Sequence, residues 1–125
     1  MFDISSSPIN PHAIIDSVRV DSSIGATISF IGSLRGQTLD GHPLKYAECS
    51  GDRQEARQLL CQIGEEIRSK WKLEAASICH RVGRIEVGEV IMVVAVAARH
   101  RQEAFEACQY AVDRAKGNLT LSEIV

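Results

Sequence analysis

The chain has 125 residues, of which 45% are hydrophobic and 24% charged, with a formal net charge of -2. That length predicts one domain, 1–125, able to bury a core without staples, and the composition excludes a disordered chain. The balanced charge argues against a broad nucleic-acid surface, leaving room for a local basic pocket.

The longest apolar run, Val90 to Ala98, is less than half of the roughly 20 residues a membrane span needs. The start, MFDISSSPIN, has neither the basic region nor the apolar stretch of a signal peptide. Cys49, Cys61, Cys79 and Cys108 form no CxxC pair and sit in apolar patterns. They are expected to be small buried hydrophobes in a reducing, cytoplasmic protein rather than disulfide or zinc ligands.

In chain order, residues 2–5 suit a short edge strand. Pro11 fits the first turn of a short helix, with Ile14, Ile15 and Val18 on its apolar face. From Gly25 to Ile31 the chain alternates, Ala26, Ile28 and Phe30 against Thr27 and Ser29, as in a half-buried strand. Gly32 to Gly36 ends it, Gln37 to Pro43 reads as a loop, and Leu44 to Cys49 as a second strand. Asp52 to Trp71 is the clearest helix, with Ala56, Leu59, Leu60, Ile63, Ile67 and Trp71 at helical spacing and Ser50 or Asp52 as cap. Ala75 to Val82 suits a strand, Gly83 to Gly88 a turn, and Val90 to Ala98 a central strand buried on both faces. A last helix is expected from Gln102 to Lys116, burying Ala104, Phe105, Cys108, Ala111, Val112 and Ala115 and ending at Gly117-Asn118. The order β-α-β-β-α-β-β-α predicts an α+β fold, helices packed on a mostly antiparallel sheet.

Arg99-His100-Arg101 lies where the buried strand gives way to this helix, whose first amides lack partners. Two readings of it are open: an anion site, or a solvated basic turn with a capping histidine. Arg35 follows Gly32 at a strand end, where a ligand could approach, and is equally readable as a surface arginine. Lys116 sits in the last helical turn, which by itself suits a lysine for dipole reasons. His80-Arg81 closes a strand, His12 and His42 stand in turns, and Glu48 could pair with an arginine across the sheet. No catalytic-triad order, phosphate loop or metal-ligand spacing occurs.

Longer stretches carry a resemblance. GATISFIGSLRG, LKYAECSGDRQEA and WKLEAASICHRVGRIEVGEVIMVVAVAARHRQEAFEACQYAVDRAK resemble, in order, the motifs of the molybdopterin synthase large (catalytic) subunit family, over roughly residues 2–116. The resemblance implies an α/β-hammerhead-type fold and a central homodimer. Each large subunit would bind one small ubiquitin-like sulfur carrier, giving a heterotetramer, and the carrier's C-terminal Gly-Gly thiocarboxylate would enter the large subunit's pocket. Sulfur would pass from it to cyclic pyranopterin monophosphate to form the dithiolene of molybdopterin, with no metal or cofactor. Arg35, His100 and Arg101 occupy the family's substrate-binding positions and Lys116 that of a catalytic lysine. Arginines and a histidine suit a substrate phosphate and developing negative charge. The family continues after this lysine with a segment of the PIWKKE kind that supplies a second one. Here the chain reads GNLTLSEIV, and an ungapped count brings Glu123 to that position. Two explanations of that departure are open: a truncated chain, or a catalytically altered paralogue that keeps the dimer and partner site without full turnover.

Overall fold

A computed structural model describes residues 1–125. The elements are β1 (Phe2–Ser5), α1 (Pro11–Asp16), β2 (Ala26–Ser33), β3 (Tyr46–Cys49), α2 (Arg53–Lys70), β4 (Ala75–Arg81), β5 (Gly83–Glu86), β6 (Val90–Ala98), α3 (Arg101–Asn118) and β7 (Ser122–Ile124). One sheet runs β1-β4-β6-β2, antiparallel except for the parallel β1–β4 pair, and a smaller antiparallel sheet runs β5-β3-β7. This is the expected α+β architecture with mostly antiparallel pairing. No helix is long and apolar enough to cross a membrane.

The central position of β6 follows from its composition. Met92, Val94, Val96 and Ala98 face a core shared with α2 and α3, while Val93, Ala95 and Ala97 face the opposite core under α1. A strand with a helix on each face has no polar side to offer, which is why this stretch reads as continuous apolar sequence. α2 begins where Asp52 accepts hydrogen bonds from the amides of Gln54 and Glu55, at 2.8 and 3.1 Å. It buries Leu60, Ile63 and Ile67 completely. Truncating any one to Ala costs about 2–5 kcal/mol.

Polar contacts then fix α3 against α2. Glu66 accepts hydrogen bonds from the Tyr110 hydroxyl at 2.6 Å and the Arg114 guanidinium at 2.8 Å, and Trp71 meets Tyr110 edge-on with ring centroids 5.4 Å apart. These contacts set the position of the last turns of α3, which carry Lys116.

Several expectations are corrected. Gly83–Glu86 is a strand rather than part of a turn, because it pairs with β3 residue for residue. The reversal to β6 is left to Val87-Gly88, with Gly88 at φ 87°. The second strand starts at Tyr46, not Leu44. α3 runs through Gly117 to Asn118. Phe105 is 56% exposed and Ala107 is buried in its place. The buried face therefore follows Ala104, Ala107, Cys108, Ala111 and Ala115, small residues that let α3 lie close to β2 and β6. Cys61 is exposed on α2, whereas Cys49, Cys79 and Cys108 are buried as expected.

Candidate functional site

The register of β2 on β6 decides which candidate residues can meet. Ala26 pairs with Ala98 and Ser33 with Val90, so the Arg99–Arg101 turn lies at one end of the sheet and Arg35 at the other. α3 starts beside the first end and carries Lys116 back to the second. The rise of about 1.5 Å per residue puts Lys116 about 23 Å from Arg101 along the axis.

At the Arg35 end the backbone is tightly constrained. The β2–β6 register shifts between Gly32 and Ser33. A Cβ on Gly32 would stand 2.9 Å from Cε1 of Phe30, so a larger residue at this strand irregularity would have to displace that ring. Leu34 is buried, its amide donating to the Glu89 carbonyl at 2.9 Å and its carbonyl accepting from Gly88 at 2.8 Å. Anchoring Leu34 leaves Arg35 on the rim of a cavity of about 600 Å³. The loop beyond it is pinned by the Leu44 amide donating to the Gly36 carbonyl at 2.9 Å and contributes Gln37 and Leu39 to the rim.

Lys116 enters the same cavity from above, its Nζ 5.1 Å from the centroid of the Phe30 ring. β7 supplies Glu123, and the segment before it Leu119 to Leu121. The floor is His80, Met92 and Ile91. Neither Arg35 nor Lys116 belongs to any of the protein's ion pairs. Two cations without a carboxylate partner lining one partly apolar cavity form an arrangement chemically suited to holding an anion of ligand size.

His100 and Arg101 do not line this cavity. Both are exposed, and His100 is the N-cap of α3 without a capping hydrogen bond from its side chain. The first amides of α3 thus remain open at a basic surface, while the neighbouring Arg99 pairs with Glu74 at 3.2 Å. Gly25 holds this turn against β2, since a Cβ there would fall 2.1 Å from the Arg99 carbonyl oxygen. The four candidate positions are therefore two pairs at opposite ends of the molecule.

The weaker candidates resolve as follows. Arg81 is buried and structural: it pairs with Glu89 and donates to the carbonyls of Ser5, Val82 and Arg84. Glu48 stands opposite Arg84 in the β3–β5 register without forming an ion pair. Arg84 instead pairs with Glu86 at 2.7 Å and covers the Tyr46 ring at 3.8 Å. His12 and His42 are exposed. Burial raises the thiol pKa of Cys49, Cys79 and Cys108, the last to about 11, so none of these is a ready nucleophile. No group of three or more His, Cys, Asp or Glu is arranged to hold a metal ion. The residue that sequence reasoning undervalued is His80, whose only signal was a polar side chain closing an apolar strand.

Comparison with known proteins decides the family. The family model described as MoaE protein matches residues 4–118. A molybdopterin synthase catalytic subunit of Bacillus subtilis is 40% identical over 115 residues, covering 92% of this chain and 72% of the relative. This chain belongs to the molybdopterin synthase catalytic subunit family. A Staphylococcus aureus molybdopterin synthase structure superposes with a TM-score of 0.88 at 30% identity, covering 98% of this chain and 90% of that one. A Helicobacter pylori complex of subunits 1 and 2 of molybdopterin-converting factor gives 0.76 at 11% identity, covering 98% of this chain and 87% of that one, a likeness of fold alone. The family's enzyme transfers sulfur in molybdenum cofactor biosynthesis, and in this member Arg35, Lys116 and Glu123 share one cavity.

Proposed function

We propose that this chain is an active sulfur-transferring subunit whose Arg35–Lys116 cavity receives the thiocarboxylate tail of a small ubiquitin-like carrier and cyclic pyranopterin monophosphate. The observation that carries the reading is the convergence of these two cations on one cavity, with no protein carboxylate paired to either. Thiocarboxylate and phosphate are both anions, and fixed cations in a partly desolvated pocket stabilise charge more strongly than they would in water. Lys116 approaches the reacting end and Arg35 holds the anionic group. The Helicobacter pylori complex of the two subunits of molybdopterin-converting factor supports a carrier partner of this kind. The free thiols support a reducing, cytoplasmic setting.

His100 and Arg101 join the reading through a homodimer. If all four basic positions serve one substrate, a separation of about 23 Å along α3 requires two copies to share it. A twofold dimer would bring the open N-terminus of one α3, with its His100 and Arg101, to the Arg35–Lys116 cavity of its partner.

The test is reconstitution. The purified chain, a thiocarboxylated carrier and cyclic pyranopterin monophosphate should yield the dithiolene product, and Lys116→Ala should lower the rate by about 100-fold or more. A wild-type chain that binds the carrier and makes no product would overturn the proposal of activity.

A further inference from the structure

β4 turns one face toward the core beneath α2 and α3, and along that face runs Ala76, Ile78, His80. His80 sits between Ile4 of β1 and Met92 of β6 and is 4% exposed. An aliphatic side chain would continue the stripe, whereas a buried imidazole costs stability unless both ring nitrogens are satisfied. Nδ1 lies 2.6 Å from the Arg81 carbonyl oxygen, which can only accept, so Nδ1 carries the proton and donates. Nε2 is then the lone-pair nitrogen, and it bonds no protein atom. No fully enclosed side-chain nitrogen or oxygen in the molecule lacks a partner. The free Nε2 must therefore be the part of the ring that reaches open space, and the space beside it is the Arg35–Lys116 cavity.

We propose that His80 is a substrate-contacting residue, a neutral hydrogen-bond acceptor on the cavity floor that takes an N–H of the bound heterocycle through Nε2. The inference rests on the reading under Proposed function and adds to it the group that orients the substrate. Arg35 and Lys116 can only donate, so they recognise the anionic part of a ligand and nothing that donates. The cavity's one carboxylate, Glu123, is exposed on β7, whereas His80 is a buried, neutral acceptor. His80 adds a buried ring acceptor beneath the cations at the rim, a pattern that fits an N–H-bearing ring joined to a phosphate. Burial holds the pKa of His80 below the ordinary histidine value, against the opposing effect of the Arg81 carbonyl, which keeps the ring neutral at physiological pH.

Two substitutions separate this role from a structural one. His80→Asn keeps an amide donor near Nδ1 for the Arg81 carbonyl and removes the acceptor from the cavity. His80→Gln places a side-chain carbonyl near the Nε2 position. Calorimetric titration with cyclic pyranopterin monophosphate should show about tenfold weaker binding for His80→Asn, partial recovery in His80→Gln, and unchanged carrier binding in both. Should His80→Asn fail to fold, ¹⁵N spectra of the wild-type imidazole carry the test. Nε2 should be unprotonated in the free protein and shift on addition of the substrate. Wild-type affinity in a folded His80→Asn, or an Nε2 signal unmoved while substrate binds, overturns the role of His80 and leaves the functional reading standing. A wild-type protein that binds no substrate overturns both.

Discussion

The ammonium of Lys116 stands 5.1 Å from the centroid of the Phe30 ring and pairs with no carboxylate. The contact joins the last turn of α3 to β2 and keeps a flexible side chain over the cavity without neutralising it. A cation–π contact at such a partly open site is worth about 0.5–1 kcal/mol. Phe30→Leu should therefore lower kcat/KM for sulfur transfer about two- to fivefold while carrier binding stays unchanged. An unaltered rate would show that the ring does not position the lysine.

Glu123 brings a carboxylate into a cavity proposed to bind anions. Glu123→Gln should tighten substrate binding by about three- to tenfold at low ionic strength, with the gain shrinking as salt rises. Glu123→Lys should exceed it. Equal affinity across the three proteins would place the bound anion far from β7.

A site shared between copies predicts complementation. Lys116→Ala and Arg101→Ala should each be nearly inactive alone. Mixed under conditions of subunit exchange, they should regain up to about a quarter of wild-type activity, because half of the dimers are heterodimers and each of those carries one intact site. No recovery despite demonstrated exchange would confine each site to one chain.

The Arg81–Glu89 pair is nearly buried, with side-chain exposures of 5% and 16%. Removing the charge of Glu89 leaves the Arg81 guanidinium poorly compensated in the interior. Glu89→Gln should cost about 2–3 kcal/mol, a partial-exposure discount on the 3–5 kcal/mol of a fully buried pair. The readout is the urea midpoint, and a shift under about 0.5 kcal/mol would show that the three carbonyls around Arg81 suffice to hold it.

Glu66 links α2 to α3, and its hydrogen bonds from Arg114 and Tyr110 lower its pKa from 4.5 to about 2. A depressed carboxylate stabilises the fold fully above the unfolded-state value and loses that contribution as pH falls through the folded one. The Tm difference between wild type and Glu66→Gln should thus be constant above about pH 5 and decline toward zero by about pH 2. A difference independent of pH would assign the role to packing rather than charge.

β6 was legible in the sequence because nine consecutive apolar residues have no solvent face to offer. α2 was legible because its spacing and its Asp52 cap are both local. The resemblance along residues 2–116 likewise marked Arg35, His100, Arg101 and Lys116 as a set. β7 was not legible, since Ser122-Glu123-Ile124 has no pattern of its own and becomes a strand only by pairing with β3. Phe105 was misplaced because several rotations of an alanine-rich helix give similar apolar stripes, and only contact with β2 and β6 selects one. Sequence by itself determined which residue types were present and in what local order. Tertiary structure decided which of them meet: the β2–β6 register and the length of α3 bring Lys116 back to Arg35 over His80 and hold His100 and Arg101 at the far end, because an antiparallel strand pair and a rigid helix set separations that sequence distance does not encode.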